Sequence, residues 1–391
     1  MLDCFSQRET MNQSNLPSPC YVCEEALLEK NLKLLKKVQD ETGVYILLAL
    51  KGFAMFSTFD LCKKYLKGCC ASGLNEAILA KEEFGLEVHT YSPAFKPNEF
   101  EPITKISNHI VFNSFAQLDT YKDNVLPSNS LGLRINPEYS SVEVDLYNPC
   151  GAFSRLGTTK KAFDKAVEEK PKLLKFLDGF HFHALCEQNV DALQGALAKF
   201  EENFAHYFKD LKWVNFGGGH HITRSDYDVD GLIKLLQNFK SRYPHLKVYL
   251  EPGEAVGWQT GYLEATVLDI VHNGMDICIL DTSAECHMPD TLAMPYKATI
   301  RGASSNPNEK QYKYRFGGNT CLAGDIIGDY SFDKPLQIGD KIILEDMIHY
   351  TMVKTTTFNG INLPSIAIKK KDGNFKIIKN YGYESYKDRL S

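Results

Sequence analysis

From Pro17 onward the chain alternates between two rhythms of apolar and polar positions. Short apolar runs are separated by longer stretches whose apolar residues recur at helical spacing. The first such run, Val44 to Phe53 (VYILLALKGF), is continuous and carries a single charge, Lys51, near its end. A strand buried on both faces has this pattern. Seven similar runs follow: KGCCAS, LEVHTYS, HIVFNS, LGLRIN, GFHFHA, KWVNFGGG and KVYLEPG. Between them lie helix signals. Leu28, Leu32, Leu35 and Val38 fall on one face with Lys33, Lys36 and Lys37 turned outward. Ser114 and Gln117 have capping-box spacing before FAQLDTY, and Leu232, Leu235, Leu236 and Phe239 share a face after Asp230. Eight strand-then-helix units predict an α/β fold with a (β/α)8 TIM-type barrel, since open doubly wound sheets commonly have fewer strands.

Beyond Gly261 the rhythm changes to period two. YLEATVLDIV, DICILDTS and KIILEDM read as strands, and HNG, FGGN and QIGD read as turns, which predicts an all-β second domain. Pro17 to Cys23 reads as a short strand behind a polar, patternless extension. The expected division is an extension plus joining strand over 1–27, a barrel over 28–260 and a β domain over 261–391. The Gly-, Pro- and Ser-rich segment from Pro137 to Lys160 is placed as a loop at the barrel mouth.

Composition narrows the classes of function. The chain has 391 residues and a net charge of -5, so the clustered cations that a nucleic-acid or anionic-membrane surface needs are not expected. Its longest apolar runs, such as Tyr45 to Leu50, fall far short of the ~20 residues of a membrane helix, and MLDCFSQRET lacks a signal-peptide centre. A cytoplasmic protein acting on small polar molecules is expected. Eleven scattered cysteines suit a reducing compartment. Cys20 and Cys23 form one C-x-x-C without a second pair, so buried thiols are favoured over zinc.

Barrel sites lie at the C-terminal ends of the strands. The residues closing these runs are Lys51, His181 and His183, the glycines Gly217 to Gly219, and Glu251. Singly, each has a structural account: a solvent-facing lysine, a core histidine, a tight turn, a turn carboxylate. Together they offer an amine nucleophile, a flat ring, a phosphate cradle and an anion. His-x-His at a strand end also suits a metal-dependent hydrolase. One ring-stacking histidine with a structural partner is favoured over a metal pair, and no metal is expected.

YILLALKGF, GFHFHALCEQN, VNFGGGHHI, LEPGEA, CHMPD, GGNTCLAGD and DMIHYTMVKTTTFNG together resemble the motifs of the fold-type III pyridoxal-phosphate decarboxylases. Within that family they are most similar to the branch acting on carboxynorspermidine and carboxyspermidine. The resemblance runs in consistent order from about Pro17 to the C-terminus. It implies a barrel followed by an alanine racemase-like β domain, pyridoxal 5'-phosphate as cofactor, and a homodimer with shared active sites. It implies further that Lys51 holds the cofactor covalently, that His183 stacks on its ring, that Gly218, Gly219 and Tyr350 hold its phosphate, and that Glu251 pairs with the ring nitrogen. Cys321 would be a proton donor delivered to the partner subunit, with Asp325 in the same C-x-x-x-D segment. Glu254, His287 and Asp290 are the expected substrate ligands beside Asp325. Two departures stand out. His183-Ala184-Leu185-Cys186 replaces a His-Ile-Gly-Ser segment, and Glu251-Pro252-Gly253-Glu254 replaces Glu-Pro-Gly-Arg, so an acid stands where the common family members carry a base. A diaminopimelate or basic amino-acid decarboxylase, a racemase and a non-catalytic cofactor carrier are the alternatives on this fold.

Overall fold

A computed structural model describes residues 16–293 and 296–391. The expected N-terminal extension lies outside the described residues. The described residues divide into two compact units, one of residues 25–260 with 348–353, the other beginning at residue 16 and made of the segment up to 24 with the described parts of 261–347 and 354–391. The division after Glu24 coincides with the start of a helix, Glu25–Thr42, and the segment containing Tyr350 belongs with the barrel.

The second unit begins with β1 (Cys20–Glu24). The barrel unit is a closed ring of eight parallel strands: β2 (Tyr45–Ala49), β3 (Gly68–Ala71), β4 (Glu87–Tyr91), β5 (His109–Phe112), β6 (Ser130–Arg134), β7 (Gly179–His181), β8 (Trp213–Asn215) and β9 (Lys247–Leu250). Each apolar run noted in the sequence supplies one strand, in order. Helix Glu25–Thr42 buries Leu28, Leu32, Leu35 and Val38, about 1.5–3 kcal/mol for each leucine relative to exposure. Its one buried amide, Asn31, donates to the carbonyls of Val256 and Trp258 at 3.2 and 2.8 Å, tying the helix to the chain that follows β9. Only half of the expected capping box forms at Phe115–Tyr121. Ser114 Oγ accepts the Gln117 N–H, but the Gln117 amide donates to the Pro93 carbonyl instead of reaching back.

The floor of the barrel is filled by large side chains. Trp213 packs with Leu47, Val111 and Tyr249, and its indole N–H donates to Ser130 Oγ at 2.8 Å. It lies directly over two glycines: a Cβ on Gly132 or Gly179 would come within 2.3 or 2.1 Å of its rings. Beside it His89 and His109 stack at 3.8 Å between ring centroids.

The second unit holds an eight-stranded sheet. β1 pairs antiparallel with β10 (Gly261–His272) and parallel with β15 (Ser365–Lys369), so the first strand of the chain is locked between two late ones. The remaining strands are β11 (Asp276–Leu280), β12 (Tyr312–Gly317), β13 (Ile326–Phe332), β14 (Lys341–Glu345) and β16 (Phe375–Lys379). The three strands read from the sequence are β10, β11 and β14. Short helices Ala284–His287 and Asp290–Ala293 interrupt what the sequence suggests is purely β. No disulfide joins the described cysteines, and Cys20 and Cys23 are buried.

Candidate active site

Lys51 stands in the turn just past β2. The Gly52 and Phe53 N–H groups both donate to the Ala49 carbonyl, at 3.0 and 3.2 Å. A Cβ on Gly52 would lie 2.9 Å from Glu254 N and 3.0 Å from Gly253 Cα, so this turn and the one after β9 touch backbone to backbone. The lysine keeps solvent-accessible surface at the barrel mouth while protein atoms crowd its head group. That crowding, with Arg134 nearby, pushes its pKa down. The neutral, nucleophilic amine is favoured accordingly.

His181 and His183 serve different ends. His181 Nε2 lies 3.2 Å from Glu251 Oε2. His183 Nδ1 accepts the Gly218 N–H at 2.9 Å, which places its proton on Nε2 and makes it a neutral, planar donor. Burial, followed by Lys51 and Arg134, holds the His183 pKa well below that of free imidazole. Glu251 is also held from the far side: Asn215 Nδ2 donates to its Oε1 at 2.6 Å. Burial alone would raise this carboxyl, but His181 and Asn215 outweigh it and keep it ionised.

The glycine run is sterically compelled. A Cβ would meet Phe182 O at 2.4 Å from Gly217, Glu251 O at 2.3 Å from Gly218, and Leu185 O at 2.1 Å from Gly219. Gly217 and Gly219 also have φ of 69° and 81°. Two of the N–H groups brace the turn, Gly217 to Asn215 Oδ1 and Gly218 to His183 Nδ1, and the positive φ angles give it the form of a backbone anion nest.

A second cluster surrounds Glu254. Its carboxylate oxygens lie 3.7 Å from His221 Nε2 and 3.6 Å from His349 Nδ1. Tyr350 follows His349. Burial, then the negative charge of Glu254, raises the Tyr350 pKa, so it stays a neutral hydroxyl. The site thus has two anionic poles, Glu251 and Glu254, with Lys51 near both turns. Sequence reasoning missed Asn215, Arg134, His221 and His349. Arg134 is 5% exposed, donates to the His183 carbonyl at 3.3 Å and lies 4.6 Å over the Tyr91 ring. It closes β6 as Lys51 follows β2, a signal available in LGLRIN.

The remaining expected residues lie on the β unit, where two are reassigned. Asp325 is 3% exposed and accepts from Ser283 Oγ, Ala284 N, Glu285 N, Thr320 N and Thr320 Oγ1. Both oxygens are consumed in fixing the Thr320–Asp325 turn to the start of helix Ala284–His287, so it is a structural brace and not a substrate ligand. His287 is fully buried. Its Nε2 faces the Asn362 carbonyl at 3.1 Å and its Nδ1 faces Thr282 Oγ1 at 2.9 Å, so it too has no nitrogen left for substrate. Asp290 pairs with Lys354. Cys321 is exposed, with its N–H held by Asn359 Oδ1 at 2.7 Å.

A lysine with a lowered pKa, a glycine turn, a flat donor ring and a braced carboxylate are parts that would suit a phosphorylated pyridine aldehyde. The pyridoxal-dependent decarboxylase family model, described for its C-terminal sheet domain, matches residues 20–348. The chain belongs to this family. It is 49% identical over 386 residues to the carboxynorspermidine/carboxyspermidine decarboxylase of Campylobacter jejuni subsp. jejuni, covering 96% of this chain and 99% of that one. It is 45% identical over 384 residues to a carboxyaminopropylagmatine decarboxylase of Synechocystis sp., covering 98% and 97%. The crystal structure of Campylobacter jejuni carboxynorspermidine decarboxylase complexed with norspermidine matches with a TM-score of 0.89 at 48% identity, covering 96% of this chain and all of that one. The protein is a pyridoxal-phosphate-dependent decarboxylase of fold type III. No described helix is long and apolar enough to cross a membrane.

Proposed function

We propose that this enzyme removes the α-carboxylate of carboxynorspermidine and carboxyspermidine in polyamine biosynthesis. The observation that carries the substrate class is Glu254, an acid at the turn after β9 where common family members carry arginine, supported by the similarity to a relative acting on these substrates.

The residues divide the work. Pyridoxal phosphate, when bound, supplies the electron sink for the pair left at Cα. Lys51 would hold it, the Gly218–Gly219 turn with Tyr350 would receive its phosphate, and His183 would face its ring. Glu251, kept ionised by Asn215 and His181, holds a proton on the ring nitrogen. Glu254 draws the ammonium groups of the tail by charge-assisted hydrogen bonds of about 1.5–3 kcal/mol each. Cys321 returns a proton at Cα as part of a homodimer in which each chain serves its partner. The setting is cytoplasmic. Side-by-side kcat/KM values test the reading: carboxynorspermidine and carboxyspermidine should exceed diaminopimelate, ornithine and arginine by orders of magnitude. Preference for diaminopimelate overturns it.

A second reading follows from the Synechocystis relative, at 45% identity. Carboxyaminopropylagmatine ends in a guanidinium, which a carboxylate also binds. Including it in the same assay decides between an ammonium and a guanidinium tail.

A further inference from the structure

One amide ties the exits of β4 and β5 to the loop that follows β6. Asn113 is the residue after β5, and its neighbours in the barrel are Tyr91 at the end of β4 and Arg134 at the end of β6. Its Oδ1 accepts both the Gly157 N–H at 2.7 Å and the Tyr91 hydroxyl at 2.8 Å, and its Nδ2 donates to the Arg155 carbonyl at 2.9 Å. Its own carbonyl accepts Thr158 Oγ1 at 3.1 Å. A main-chain N–H only donates and a main-chain carbonyl only accepts, so the amide has one orientation here, which neither aspartate nor leucine reproduces.

These bonds have two ends. One is the stem of the loop that leaves the barrel after β6 and returns at Thr158, whose N–H donates to the Arg134 carbonyl at 2.8 Å and whose carbonyl accepts the Asn136 N–H at 2.9 Å. Gly157 has a φ of 83°, and a Cβ there would lie 3.0 Å from Asn136 N and 3.2 Å from Arg134 Cγ, so the stem is pressed against the arginine side chain. The other end is the site. The Arg134 guanidinium lies 4.6 Å over the Tyr91 ring and donates to the His183 carbonyl at 3.3 Å. The same ring stacks on His181 at 5.8 Å between centroids, with 27° between the planes. A tyrosine pinned at its hydroxyl keeps both neighbours in place.

We propose that Asn113 is a positioning residue: it seats the stem of the loop after β6 and, through Tyr91 and Arg134, orients the chain that carries His183. The seat of the loop and the attitude of the histidine ring are therefore set together. The inference rests on the cofactor site and is independent of which amino acid is decarboxylated.

Trypsin reads the seat of the loop, and the visible circular dichroism of the bound cofactor reads the ring. Arg155 is exposed, but its carbonyl, part of the bond that trypsin cuts, is held by Asn113. Cleavage there requires the stem to open locally. In the holoenzyme, Asn113→Ala should be cut after Arg155 roughly tenfold faster than the wild type or more, since several hydrogen bonds are lost together. Its visible dichroic band should change as well. Tyr91→Phe removes one hydroxyl from a ring that otherwise stays, so it should show both changes to a smaller extent, and it keeps the proposal testable if Asn113→Ala does not fold. Cleavage of both variants at the wild-type rate overturns the latch. Faster cleavage with an unchanged cofactor band overturns the coupling to His183.

Discussion

Asn215 joins two parts of the site that are far apart in sequence: its Nδ2 donates to Glu251 Oε1 at 2.6 Å while its Oδ1 accepts the Gly217 N–H at 2.9 Å. The glycine turn and the carboxylate therefore share one amide. Asn215→Ala removes a hydrogen bond to a charged, buried group, a loss of about 1.5–3 kcal/mol, or roughly 10- to 150-fold in kcat. Asn215→Asp should be worse, since it sets a second anion against Glu251. Steady-state kinetics of both variants check the order.

Lys51→Ala should abolish decarboxylation and cofactor attachment together. Borohydride reduction of the wild type followed by peptide mass spectrometry should place the pyridoxyl group on Lys51. A label on another lysine would sink the assignment.

Gly218→Ala places a methyl group 2.3 Å from the Glu251 carbonyl. The turn must open, and the cofactor's phosphate loses its seat. Cofactor retention through dialysis, read by absorbance, should fall well before the far-ultraviolet circular dichroism changes.

Glu254→Gln keeps shape and removes charge. With a polyamine-tailed substrate KM should rise roughly tenfold or more, while kcat changes less. A larger effect on kcat than on KM would mean that Glu254 serves the reaction centre and not the tail.

Stability should fall with acid in a way that names its histidines. Burial holds His287 down to about 4 and His109 lower still, the latter helped by its stacked neighbour His89. An unfolded histidine titrates near 6.5, so below that pH the unfolded chain binds protons that the native chain refuses. The contribution is complete above about pH 6.5 and is lost as pH falls towards the native values, roughly 2 kcal/mol for each by pH 5. Thermal melts at pH 7 and 5 should differ, and less so in His287→Asn.

The barrel was legible because each strand wears its burial in its sequence. VYILLALKGF and its successors are apolar throughout, and the charge that ends a run marks the mouth. That rule set Lys51, His181, His183, Gly217 to Gly219 and Glu251 at strand ends, and the structure has them there. Asn215 was passed over because an asparagine beside a glycine run reads as part of the turn, and its partners come from across the barrel. His287 and Asp325 show the reverse. Their motifs point to chemistry, yet one turns both nitrogens to Asn362 and Thr282, and the other spends its oxygens on five donors. Local sequence does not reveal whether a polar side chain is already satisfied.

Trp213 lying across Gly132 and Gly179 makes the barrel a well and not a tunnel. Carbon dioxide released near Lys51 has no back exit, since the indole, Tyr249 and the two stacked imidazoles stop the far end. Substrate, gas and amine all pass through one opening. An occupant that fills that opening halts arrival and departure at once.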